Sequence, residues 1–252
     1  MCKELKKVES WETEDILAAI PSGLPPLYGR MMDQVQRHNK KTAEFCLKLL
    51  SALALAFRPL KFKEVVTAAG LPEKTFRKSQ ALIRLVEHCG SFLTWRDDSI
   101  FFVHQSAKDY LMDPERPDII RRAMSGHRHL ALRLLRALHI LKKDLCGINN
   151  YGPLSDSART GLELDLLEQI GYASCFWIDH LYASQAIDED EAVFVDDGEI
   201  HQFLQQHFLH WLESLSLLGK ISDAVKMIRK LHDLILVCKN DIPFYEFKAK
   251  SL

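Results

Sequence analysis

The apolar residues of this chain change period in one stretch, and that change fixes the architecture open to it. Phe92-Leu-Thr-Trp95 and Ile100-Phe-Phe-Val103 are short β-type runs joined by Arg96-Asp97-Asp98-Ser99, which together predict a hairpin. On both sides the apolar positions recur every three and four residues, the spacing that lines one face of a helix. A mainly α fold with one small β-hairpin follows.

The helices ahead of the hairpin are short. Over residues 43–57, Phe45, Cys46, Leu49, Leu50, Leu53, Ala54 and Phe57 form a stripe, with Thr42 as the expected cap and Arg58-Pro59 as the stop. Residues 62–69 predict a second helix, closed by Gly70 and Pro72. A third is expected over 74–89, with Phe76, Leu82, Ile83 and Val86 facing inward and Gly90 at its C-terminus. Three short helices and then a hairpin is the order of a winged-helix domain, assigned here to 43–113 with a closing helix over 105–113. Lead-in helices occupy 1–42, one over 12–20 and one over 24–36 with Leu27, Met31 and Val35 on one face. Residues 114–252 read as an α-helical domain, a bundle with helices over 119–145, 162–182, 200–218 and 221–237. The acidic stretch 188–198 reads as a loop.

Bulk properties narrow the function. A chain of 252 residues is long for one domain, so two domains, or one domain plus flanking helices, are expected. Its 33 Lys+Arg are balanced by 34 Asp+Glu, which argues against nucleic acid and anionic membrane as partners. The six cysteines are scattered without a Cys-x-x-Cys pair, as suits a reducing compartment. The first residues lack the apolar core of a signal peptide, and no apolar run approaches the roughly 20 residues of a membrane span. A cytoplasmic location is expected.

Three segments carry a resemblance. They are Ile20-Pro-Ser-Gly-Leu-Pro-Pro-Leu-Tyr-Gly-Arg-Met-Met-Asp-Gln34, Phe101-Phe-Val-His-Gln-Ser-Ala-Lys-Asp-Tyr-Leu111 and His210-Trp-Leu-Glu-Ser-Leu-Ser-Leu-Leu-Gly-Lys-Ile-Ser-Asp223. In this order they resemble fungal NACHT-type signalling NTPases, the STAND class to which animal NLR receptors belong. The resemblance implies that the first segment follows an ATPase core, the second ends a winged helix, and the third lies in a helical region leading to sensor repeats. It further implies that His104 contacts the phosphate of ADP held by a neighbouring NACHT ATPase domain, in cis or in trans, and so locks a resting state. ADP/ATP is then the nucleotide of the full-length family, and this chain alone needs no cofactor. Release of the lock would serve non-self recognition or programmed cell death.

The family's motor parts are missing from these 252 residues. A phosphate loop needs Gly-x-x-x-x-Gly-Lys-Ser/Thr, whose backbone N–H groups and lysine hold phosphate. Gly219-Lys220 is followed by Ile221, and Ser214 stands where the first glycine belongs. The expectation is a regulatory section without enzymatic activity. A stand-alone adaptor or decoy that docks on full-length relatives, and a winged-helix DNA-binding regulator, are the alternatives.

Other residue groups read as structural. Lys108 and Asp109, one turn beyond His104, are expected on a solvated helix face. Lys74, Arg77, Lys78 and Arg84 stand where a DNA-reading winged helix carries its recognition helix, but Asp97-Asp98 would set the wrong sign against phosphate. His201, His207 and His210 lack a His-Glu-x-x-His motif or nearby cysteines, so no metal site is expected. Asp188-Glu-Asp-Glu191 fails as a calcium loop, with Val193 where glycine is required. Gly171-Tyr-Ala-Ser-Cys175 fails as a nucleophile elbow at its last position.

Overall fold

A computed structural model describes residues 24–76, 78–113, 126–145, 161–184 and 197–239; the helix expected over 12–20 and most of the acidic loop lie outside them. The described residues divide into two compact units, one within Met1–Phe62 and Leu71–Met124, the other within Lys63–Gly70 and Ser125–Leu252. Among them are ten α-helices and one three-stranded antiparallel sheet, so the fold is mainly α with a small β element.

The first unit opens with α1 (Leu24–Gln36) and α2 (Lys40–Leu55). α1 buries Tyr28, Met32 and Val35, a face turned by one residue from the one expected. The Tyr28 ring decides this, stacking on Phe92 at 5.8 Å and lying 5.2 Å from Tyr110. α2 begins earlier than predicted. Its cap is Asn39, whose Oδ1 accepts the Thr42 N–H at 2.9 Å, so Thr42 sits inside the first turn. Asn39→Ala should therefore cost about 1 kcal/mol of unit stability, measured as a small fall in denaturant midpoint. α2 ends at Leu55, and Phe57, expected on its buried stripe, is exposed.

The chain continues through β1 (Leu60–Lys61) and α3 (Phe62–Ala68) to two helices where one was predicted: α4 (Glu73–Phe76) and α5 (Ser79–His88). Lys78 between them is extended, at φ −86° and ψ 123°. On an uninterrupted helix Phe76 would project roughly 100° away from the Leu82–Val86 face at 3.6 residues per turn. The break lets Phe76 bury edge-on against Phe45, at 5.3 Å, while Leu82, Leu85 and Val86 enter the core.

β2 (Leu93–Arg96) and β3 (Ser99–Phe102) form the hairpin, with Trp95 opposite Ile100 and Arg96 opposite Ser99. Asp97 and Asp98 at its tip both take positive φ, 46° and 58°. A two-residue turn of that hand matches the right-handed twist of the strands, and aspartate tolerates it better than most residues. β1 adds antiparallel to β3, giving the order β1-β3-β2. Two residues are too few to announce a strand by alternation, so β1 went unseen in the sequence. The unit closes with α6 (Gln105–Met112).

The second unit comprises residues 63–70 with α7 (His127–Ala137), α8 (Gly161–Ala183), α9 (Glu199–Leu217) and α10 (Ile221–Lys239). Leu130, Leu134, Leu138 and Leu141 are all buried, although the helix tightens into a 3-10 turn over Leu138–Ile140. Trp177 and Trp211 cross edge-on at 5.9 Å in the centre. Ion pairs trim the edges: Lys63 reaches Asp165 and Glu168, Lys230 reaches Asp179, and Arg136 makes a two-point contact with Glu199. Among the described residues no helix is long and apolar enough to cross a membrane.

Candidate functional site

His104 stands at the junction of the hairpin and α6. β3 ends at Phe102, and Val103 N–H, just before His104, still donates to Phe92 O at 2.9 Å. His104 keeps extended angles, φ −146° and ψ 149°, and is the N-cap of α6. Its Nδ1 accepts the Ser106 N–H at 3.2 Å and lies 2.6 Å from Ser106 Oγ. Ser106 Oγ in turn meets Tyr28 OH at 2.7 Å. The imidazole is thus tied by one nitrogen to a strand–helix corner, while the residue as a whole is exposed. An N-cap position also puts it beside the positive end of a helix, where an anion is favoured.

Its neighbours are partly structural. Lys108, expected in solvent, is half-buried, and its Nζ donates to Ala56 O at 3.2 Å, closing the C-terminus of α2. Asp109 is exposed and accepts from Gln105 Nε2 at 2.9 Å within α6. The four basic residues expected on one helix are separated. Lys74 lies on α4, Lys78 between α4 and α5, and Arg84 on α5, while Arg77 falls outside the described residues.

Gly219-Lys220 has a clear place. Gly219 takes φ +69°, Lys220 N–H donates to Leu215 O at 2.7 Å and Gly219 N–H to Ser216 O at 3.0 Å. These N–H groups end α9 in the manner of a glycine C-cap, and are spent on the helix's own carbonyls.

Of the histidines singled out on α9, His207 and His210 meet edge-on at 5.7 Å, and His201 lies apart from them near the start of the helix. His201 Nδ1 accepts the Asp197 N–H at 2.7 Å. His207 Nδ1 pairs with Leu141 O at 3.0 Å, and its ring stacks on Phe203 and meets His139 edge-on. Burial first, then the neighbouring His139, pushes the His207 pKa down. Among the described residues no group of three His, Cys, Asp or Glu is placed to hold a metal ion.

Two arrangements escaped the sequence. One is the Tyr28–Ser106–His104 chain, which joins the first and second resembling segments across 78 residues. The other lies in the second unit, where His127 Nδ1 meets His180 Nδ1 at 2.7 Å and His180 Nε2 meets Tyr172 OH at 2.8 Å. His180 is fully buried, and burial, followed by the nearby His127 ring, lowers its pKa to about 3. Neither site has a complete local motif, because each takes one member, Tyr28 or His127, from an element far away in the chain.

No protein-family model matches the chain, and no solved structure does. It is, however, 32% identical over 235 residues to the vegetative incompatibility protein HET-E-1 of Podospora anserina, a likeness covering 87% of this chain and 17% of that one. This chain spans less than a fifth of that protein's length, and is a relative of one section of a fungal vegetative incompatibility protein.

Proposed function

We propose that this chain is the non-catalytic regulatory section of a NACHT-type signalling NTPase. Residues 43–113 act as a winged helix that clamps a nucleotide-bound ATPase domain, and the helical residues 114–252 link that state to a sensor region. The likeness to HET-E-1 supports a fungal signalling role tied to incompatibility, and the three resembling segments support the NACHT assignment. The element order α2, β1, α3, α4, α5, β2, β3, with β1 added beside the hairpin, supports the winged-helix reading.

The observation that carries the site is the setting of His104. A residue that bonds phosphate must be accessible, rigidly aimed and a donor. His104 is exposed, is fixed as an N-cap, and has Nδ1 engaged so that Nε2 is left as the donor. A bound ADP phosphate would bias a two-state equilibrium between closed and open arrangements. The partner is an ATPase domain in cis or in trans, and the setting is the cytoplasm.

The test uses a longer relative that carries both this section and a phosphate loop. His104→Ser keeps an oxygen for capping α6 and removes the imidazole donor. ADP should be held about ten- to a hundredfold less tightly, the worth of a hydrogen bond to a charged group. Unchanged ADP affinity in a folded variant would dismiss the clamp.

A further inference from the structure

The atoms around His104 admit one arrangement of protons, and it extends to a residue remote in sequence. A backbone N–H only donates, so Ser106 N, 3.2 Å from His104 Nδ1, requires a lone pair there. The Ser106 hydroxyl is 2.6 Å from the same nitrogen, and beside a lone pair its single proton points at Nδ1. Ser106 Oγ is then an acceptor towards Tyr28, whose OH at 2.7 Å must donate. The bonds run one way, from Tyr28 to Ser106 to His104. The proton of the neutral ring is left on Nε2.

We propose that Tyr28 and Ser106 are positioning residues that hold His104 with Nε2–H as its donor, so that α1 takes part in setting the phosphate contact. This rests on the reading of His104 as that contact. A phosphate oxygen only accepts, so an imidazole presenting a lone pair would repel it, whereas a fixed Nε2–H meets it without rearrangement. Tyr28 is well placed for the task, because its ring is buried between Phe92 and Tyr110 and packing alone aims the hydroxyl. Any displacement of α1 withdraws the first donor of the chain and loosens the ring. His104 thereby reads the position of the helix that enters the unit.

The 252-residue chain without nucleotide provides the test, through imidazole nitrogen and carbon NMR of His104. The wild type should show Nε2 protonated and Nδ1 as a hydrogen-bonded acceptor. Tyr28→Phe should move the Nδ1 resonance towards that of an unbonded nitrogen, and Ser106→Ala should move it at least as far. Ser106→Thr, which keeps the hydroxyl, should restore the wild-type signal. Tyr28 bonds Ser106 rather than the imidazole, so a role in packing alone would leave the His104 nitrogens where they were. An unmoved Nδ1 resonance in Tyr28→Phe, or Nδ1–H as the main wild-type form, would overturn the proposal. If the resonances shift as expected while His104→Ser leaves ADP affinity intact in the longer relative, the positioning chain stands and the phosphate role alone is lost.

Discussion

Trp211→Ala should lower the stability of the second unit by about 3–5 kcal/mol, the range for deleting a buried aromatic side chain. Trp211 is fully buried on α9, with its ring edge-on to Trp177 at 5.9 Å and tilted against Phe208 at 6.2 Å. Its indole N–H donates to Ser174 O on α8 at 2.9 Å, and Ser214 Oγ returns a bond to Trp211 O at 2.7 Å. Truncation would open a cavity between two helices and leave the buried Ser174 O without its indole donor, beside Ser174 Oγ, which lies 3.2 Å from Ser214 Oγ. Trp211→Phe separates the contributions: it keeps most of the packing and loses one hydrogen bond, for roughly 1–2 kcal/mol. Urea unfolding followed by circular dichroism reads both. A shift below about 1 kcal/mol for the alanine variant would mean that the indole does not occupy the core in this way.

Acidification should destabilise the same unit by several kcal/mol through His180. The His180 pKa is about 3 when folded, against an ordinary value of 6.5. Above pH 6.5 both states carry a neutral ring, and the contribution to stability is whole. Below it the unfolded chain takes up a proton that the folded unit refuses, so stability falls as pH falls, until the folded ring also titrates near pH 3. At 1.36 kcal/mol for each pKa unit, the full swing is of order 4–5 kcal/mol. The geometry agrees. Nδ1 of His180 is engaged with His127 from α7, and Nε2 with Tyr172 from its own helix, so an added proton must reverse or break one of these bonds. The neighbouring Asp179 is paired with Lys230 of α10. His180→Gln should flatten the pH dependence between 6.5 and 3. A variant that kept the wild-type slope would place the titrating group elsewhere.

Much of the fold was legible because helices announce themselves over several turns. α8, α9 and α10 fall within two residues of their expected bounds, and α1 falls on them. The errors came where a few residues decide. Thr42 and Asn39 are both good capping residues, and only the backbone shows which one precedes the first turn. The single helix expected over 74–89 broke because two apolar residues, Phe76 and Leu82, need different directions to reach the core. His104 was visible as a candidate through the resemblance alone, since histidine is no usual N-cap. Its bond to Ser106 is local, yet its tie to Tyr28 spans 78 residues, and no periodicity encodes a contact of that kind. His127 and His180 were hidden for the same reason, 53 residues apart.

The assignment of residues 63–70 to the second unit bears on how such chains are inherited. Lys63 is held by Asp165 and Glu168, and a side chain at Gly171 would press on Glu64 Oε1. Gly70, at φ +60°, leaves the room that the Arg133 side chain occupies. A recombination event that swapped everything beyond residue 125 would strand this octapeptide with foreign neighbours. Swapping only the hairpin-bearing part would carry the octapeptide away from its own. Exchange between related genes should therefore succeed only when both stretches travel together, which makes the two units one heritable cassette despite their separate cores.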